Sequence, residues 1–286
     1  MPQGIEPSNL QKVYWPQAGL TKGDLLAYFD EVAACILPAL RDRPLTVVRY
    51  PDGVEGGSFY QKNTPSYAPE WVRTIRLRAE SAHRDVAYTV CNTKRTLLWL
   101  ANQGAIEFHP FQSRIDRIDR PDYMFFDMDP PGGRFDLAVE AAFVAREVLA
   151  GLRLSAIPKT SGAKGVHVCV PIQRRYDYRR VRSTSVRIAE RIEEAAPQLA
   201  TTEFKKAERG ARVLVDVARN AFGAHTATVY SPRPRPEASV SFPVPWEELG
   251  AVRPEDFTIR TVPALLGRSG DRWRDLMPRP QALPHD

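Results

Sequence analysis

The chain has 286 residues, 40 Lys+Arg against 34 Asp+Glu, and a formal net charge of +6. With 43% hydrophobic and 26% charged residues it is neither wholly disordered nor fibrous, and its length is ample for one sizeable core. No stretch reaches the roughly 20 apolar residues that span a bilayer. The N-terminus lacks a secretory pattern, and Cys35, Cys91 and Cys169 fit neither a zinc spacing nor a disulfide framework, so the expected setting is a reducing cytoplasm.

Thr21 can cap a helix from Lys22, where Leu25, Leu26, Phe29, Val32, Ile36, Leu37 and Leu40 recur at helical spacing. Strands are expected at Leu45–Tyr50, ended by Pro51-Asp52-Gly53, and at Val86–Cys91. A short helix follows at Arg95–Asn102, then a strand at Tyr123–Asp129, stopped by Pro130-Pro131. Leu137–Leu149 reads as an amphipathic helix with Gly151 just past its end. Val166–Ile172 reads as a strand, Tyr178–Ala196 as a long helix and Arg212–Val217 as a strand. The proline-dense stretch 231–236 reads as a stiff extended loop, and residues 278–284 as a surface tail. Strands and helices interleave without a regular βαβ period, which predicts an α+β fold.

The sharpest chemical feature is Phe125-Phe126-Asp127-Met128-Asp129-Pro130. Side chains alternate along a strand, so Asp127 and Asp129 share a face, about 6–7 Å apart along the backbone, while Phe126 and Met128 take the apolar face. Two ionised carboxylates at that spacing repel unless a cation neutralises them. Asp216, inside the apolar run Val213-Leu-Val-Asp-Val217, is a third acid that needs a partner. Three carboxylates on two strands suit hard divalent ions and two-metal phosphoryl transfer; a solvated strand end is the plainer alternative.

Lys159-Thr-Ser-Gly-Ala-Lys-Gly-Val-His167 begins at a turn and runs into a strand. Gly162 and Gly165 allow a sharp turn, Ser161 offers a hydroxyl, Lys164 a charge, and successive N–H groups an anion-binding concavity. His167, one residue into the strand, can donate to a phosphate oxygen. The Walker A spacing is absent.

Together F-D-M-D-P, T-S-G-A-K-G-V-H and V-D-V-A-R-N resemble the polymerase domain of bacterial ligase D, in the archaeo-eukaryotic primase superfamily. Further blocks agree, including Ser58-Phe-Tyr-Gln-Lys-Asn63, Ile106-Glu-Phe-His109 and Tyr230-Ser-Pro-Arg233. The likeness runs from about residue 9 to about residue 250, leaving 251–286 as a C-terminal extension of a single domain, 1–286. It implies a primase-like fold with mostly antiparallel central sheets flanked by helices. It also implies that Asp127, Asp129 and Asp216 are catalytic ligands of two Mn²⁺ or Mg²⁺ ions. Ser161, Lys164, His167, His109, Arg219, Arg233 and Lys62 would face the nucleotide; Arg219 stands where many relatives carry another residue. Lys12 and Lys22 would hold the 5′-phosphate across a DNA gap, and Phe59-Tyr60 would stack on template bases.

The implied function is template-directed addition of nucleotides, ribonucleotides preferred, at gaps or double-strand breaks in non-homologous end joining. Gapped or broken DNA, nucleoside triphosphates, Ku and a DNA ligase are the implied partners, with no membrane and a nucleoid-associated, cytoplasmic location. Nothing in the chain resembles a ligase K-x-D-G motif or a phosphoesterase module. The alternatives are a stand-alone gap-filling excision-repair polymerase or primase, a non-catalytic 5′-phosphate end-binding module, or a metal-dependent phosphohydrolase.

Overall fold

Thr21 starts the first long helix by closing a capping box: Asp24 N donates to its hydroxyl (3.3 Å) and its own N–H donates to Asp24 Oδ2 (2.7 Å). The computed structural model describes residues 4–79 and 84–284. A small ribbon of β1 (Val13–Trp15) and β2 (Leu20–Thr21) leads into that helix, α1 (Lys22–Leu40). Next come β3 (Pro44–Arg49), β4 (Phe59–Gln61), β5 (Thr74–Ala79), β6 (Arg84–Val90), α2 (Lys94–Asn102) and β7 (Ala105–Pro110). They are followed by β8 (Tyr123–Asp129), α3 (Phe135–Gly151), β9 (Ile157–Thr160), β10 (Val166–Pro171), α4 (Tyr178–Ala195), β11 (Ala200–Thr201), α5 (Lys206–Arg209) and β12 (Val213–Asp216). The chain ends in α6 (Val262–Ser269) and α7 (Arg272–Leu276).

Two five-stranded sheets result. One has the order β11-β12-β8-β10-β9, antiparallel except for β11 with β12. In the other, β7 lies along one side of β3 while β6 and β4 pair with the start and end of its other side, all antiparallel. α3 and α4 pack on the first sheet, α1 against α2 beside the second. Phe126 and Met128 turn their fully buried side chains into the core, each worth roughly 1.5–3 kcal/mol of burial, and so hold β8 with its acids on the opposite face.

Between β12 and α6 the chain forms short 3₁₀ turns and isolated bridges, and this irregular strap ties the sheets together. Thr228 N donates to Phe108 O on β7 (2.9 Å), Thr160 N on β9 donates to Phe242 O (2.9 Å), and Val244 N donates to Pro158 O (3.1 Å). One apolar core runs from Ile5 to Leu283 and includes Ile259, Val262 and Trp273 of the C-terminal part.

Locally the structure departs from the sequence reading. Lys159 and Thr160 are not in a turn but end β9, so the glycine-bearing loop is the tip of a β9–β10 hairpin. Gly151 is the last residue of α3, and the left-handed residue beyond it is Arg153 (φ 59°). Residues 278–284 run along the surface as expected and are tied to it: Gln281 N donates to Pro171 O (3.1 Å), Gln173 N donates to Gln281 O (2.8 Å), and Leu283 is buried. The short strands β4, β5, β7, β9 and β11 carried too little periodicity to be read from sequence.

Candidate active site

Register brings the acids together. Asp127 on β8 lies directly across from Asp216 on β12 and, on its other side, from His167 on β10. Cross-strand partners share a face, so Asp216, Asp127 and His167 form one row, with Asp129 on the same face two residues along β8. The cleft above this row has a volume of about 290 Å³.

The row is electrostatically unbalanced. Asp127 Oδ1 is buried and accepts no hydrogen bond; His167 Nε2 stands 3.4 Å from it. Burial alone would raise Asp127, but its interaction with His167, with Lys159 and Arg219 nearby, holds it below the ordinary aspartate range. Asp129 goes the other way: lost hydration, then Asp127 and Asp216, push it up to about 7. Asp216 keeps Oδ1 on the N–H of Ala218 (2.6 Å). Among the described residues no three acid, His or Cys side chains are already closed into a cage. An oxygen-only donor set with an orphaned buried oxygen and mutually repelling carboxylates nevertheless fits hard divalent cations.

Lys159 lies behind His167, almost wholly buried. Its Nζ is 2.7 Å from His167 Nδ1 and donates to Ser241 Oγ (2.6 Å) and Ala227 O (3.1 Å). Burial, then Arg233, push Lys159 down to about 7, and burial, then Lys159, lower His167. An ammonium can only donate, so charged Lys159 fixes the His167 tautomer with its proton on Nε2, facing Asp127.

The Ser161–Gly165 tip is shaped from within. Ser161 Oγ accepts from the N–H groups of both Ala163 and Gly165 (3.1 Å each), so these two do not cradle a ligand as the sequence predicted. A Cβ on Gly165 would stand 2.4 Å from Met128 O, and one on Gly162 (φ 70°) would stand 2.7 Å from both Ser241 N and Arg233 Cγ. Glycine is therefore required at both positions. Lys164 is exposed at the rim of the cleft.

The second sheet forms the opposite wall. Glu107 Oε2 faces His109 Nε2 (3.3 Å) and Arg233 Nε (3.1 Å), and Tyr50 donates to Glu107 Oε1 (2.8 Å). Tyr60, His109 and His225 cluster with ring centroids 5.4–6.2 Å apart. Burial, then His109, Lys62 and Arg219, push His225 down to about 3, leaving it neutral. Arg219 borders the cleft on a 3₁₀ turn held by Asn220, whose side chain accepts from Phe125 N (2.8 Å) and donates to Phe125 O (2.7 Å).

Lys12 and Lys22 lie away from this row. Lys22 is buried at the start of α1, donates to Ser8 O (2.8 Å), and is lowered by burial, then by Lys12 and Arg49. Lys12 donates to Pro51 O (2.9 Å) and pairs with Asp52. Strand alternation puts Phe59 and Tyr60 on opposite faces of β4: Phe59 lies beneath Arg49 (5.3 Å to the ring centroid), and Tyr60 faces the cleft.

Sequence reasoning missed Glu107, Lys159, His225 and Arg235. Glu107 and Lys159 fell inside quoted blocks without a role, and Arg235 lay in the proline-dense stretch. His225 had no local signal at all.

The family model for the LigD primase-polymerase domain matches residues 21–273. The bifunctional non-homologous end joining protein LigD of Bacillus subtilis is 35% identical over 284 residues, covering 98% of this chain and 45% of that protein. The multifunctional non-homologous end joining DNA repair protein LigD of Mycobacterium tuberculosis is 32% identical over 282 residues, covering 94% of this chain and 36% of that protein. The chain thus spans less than half the length of these relatives. A solved polymerase domain from Mycobacterium tuberculosis Ligase D in complex with DNA superposes with a TM-score of 0.90 at 30% identity, covering 96% of this chain and 98% of that one.

Proposed function

Because the chain belongs to the LigD primase-polymerase family, a family of nucleotidyltransferases, we propose that it extends primer 3′ ends by template-directed addition at gaps or breaks in duplex DNA. The observation that carries this reading is the row Asp216–Asp127–His167, of which Asp127 and His167, together with Asp129, line a cleft shared with Ser161, Lys164, Arg219 and Arg233. The primer 3′-oxygen attacks the α-phosphorus of a nucleoside triphosphate, and the bond to pyrophosphate breaks. Two divalent cations, Mn²⁺ or Mg²⁺, held by Asp127, Asp129 and Asp216, would supply activation of the 3′-hydroxyl and charge neutralisation when bound.

The chain's own groups supply the rest. Arg233, already oriented by Glu107, and Lys164 bind the triphosphate oxygens. Ser161 keeps its O–H for a phosphate oxygen while its lone pairs hold the loop. His167 is aimed by Lys159. His109 and Tyr60 flank the nucleoside, with Lys62 and Arg219 adding positive charge. Lys12 and Lys22 hold the 5′-phosphate across the gap, and Phe59 stacks on a template base. Ribonucleotides are the preferred substrates, and the pathway is non-homologous end joining, with Ku and a DNA ligase as partners.

The test is primer extension on gapped duplex DNA bearing a 5′-phosphate, with Mn²⁺ and either ribo- or deoxyribonucleoside triphosphates. Extension is expected, faster with ribonucleotides, and Asp127→Ala should lower it at least about a hundredfold. Undiminished extension by that variant would overturn the metal role.

A further inference from the structure

Tyr230 carries a left-handed backbone (φ 64°), uncommon for a bulky aromatic residue, although it is completely buried. Such a conformation persists only where its surroundings over-determine it, and here three separate parts of the fold hold it. From the C-terminal part, Asp271 Oδ1 accepts its hydroxyl proton (2.7 Å), and Trp273 N donates to the same hydroxyl oxygen (3.1 Å). From α1, Tyr28 donates to its carbonyl (2.8 Å). From the returning arm of the strap, Ser241 O accepts its N–H (2.7 Å), and the Phe242 ring packs edge-on against its own at 5.8 Å. Asp271 is itself buried and caps α7.

The residues that follow Tyr230 enter the cleft. Ser231 Oγ accepts from Phe108 N on β7 (2.9 Å), Arg233 N donates to Ser239 O (2.8 Å), and the Arg233 side chain reaches Glu107. The same turn braces the β9–β10 tip, because Ser239 Oγ donates to Gly162 O (2.6 Å). Displacing this segment would disturb both Arg233 and the Ser161–Gly165 loop.

We infer that Tyr230 and Asp271 form a clasp by which the C-terminal segment sets the arginine-bearing strap for nucleotide binding. Tyr230 touches no substrate; it is a positioning residue acting through Arg233. The inference rests on the cleft being the nucleotide site. Loosening the clasp lowers the fraction of molecules with Arg233 in place, and apparent affinity falls by that fraction.

The experiment measures KM for the nucleoside triphosphate, kcat, affinity for gapped DNA and thermal midpoint in wild type, Tyr230→Phe, Asp271→Ala and Asp271→Asn. Tyr230→Phe keeps the ring and removes only the hydroxyl. It should raise KM on the order of tenfold, leaving kcat and DNA affinity within about twofold. Asp271→Ala should do the same, while Asp271→Asn, which keeps both the acceptor oxygen and a good helix cap, should stay near wild type. An unchanged KM in Tyr230→Phe would overturn the clasp. A parallel fall of kcat, nucleotide affinity and DNA affinity would overturn it equally, by showing general damage. Wild-type protein without nucleotide-dependent extension would instead overturn the reading of the cleft.

Discussion

Asp129 sits two residues from Asp127 and one strand from Asp216, and it absorbs the cost of their crowding by holding its proton up to about 7. An acid whose folded value lies above its unfolded one, near 3.9, binds more protons when folded across that window. Its contribution to stability therefore falls as pH rises from about 4 to about 7. Asp129→Asn removes that loss. In a metal chelator, the thermal midpoint of Asp129→Asn should gain steadily on wild type as pH is raised through this window. A pH-independent difference between the two proteins would refute the account. Added Mn²⁺ should raise the wild-type midpoint most at the alkaline end, where the carboxylates are ionised. The pairing of Asp127 with Asp129 was legible in the sequence because a two-residue repeat on a strand leaves no choice of face. Lys159 was not, because burial of a lysine among His167, Ser241 and Ala227 depends on partners up to 82 residues away.

The clearest element-scale lesson is β4, a three-residue strand whose side chains are mostly exposed. Read as a motif, Phe59-Tyr60 is one aromatic pair. Read as a strand, it is two residues with different neighbours: Arg49 lies opposite Phe59 and Val48 opposite Tyr60. Glu107 also lies opposite Val48, so Tyr60 shares its face with this wall of the cleft. The two substitutions should therefore separate two properties. Phe59→Ala should weaken binding to gapped DNA, by roughly 1–3 kcal/mol if a base stacks there, with little change in nucleotide KM. Tyr60→Ala should raise nucleotide KM and leave DNA affinity nearly unchanged. Equal losses in both properties from either variant would show that the face assignment is wrong. The long helices and β8, β10 and β12 were legible because apolar periodicity runs through them. β4 was not, since three mostly exposed residues pattern no better than a loop.

At the scale of the whole molecule, the irregular strap does what no repeating pattern announces: it bonds to β7 and β9 at once and so fixes the two walls of the cleft. The acidic row lies in one sheet, while Lys12, Lys22 and Arg49 gather beside the other, around the start of α1. Two basic residues standing ten positions apart in the sequence could be seen as lysines, but not as neighbours. The ribbon β1–β2 brings them together, with Lys22 N donating to Lys12 O (2.8 Å). Among the described residues Lys12 has an acidic partner, Asp52, while Lys22 is buried with carbonyl and hydroxyl oxygens, and its charge is disfavoured by lost hydration and by two like charges. A buried lysine crowded by like charges is poised for an anion that would neutralise it. Lys22→Met removes a charge that the folded state tolerates poorly, so the thermal midpoint of the DNA-free protein should not fall. The same variant should lose most of its preference for gaps carrying a 5′-phosphate over gaps without one, and its binding should depend less steeply on salt. If Lys22→Met weakens both kinds of gap equally, the phosphate is held elsewhere and the proposed geometry of gap recognition fails.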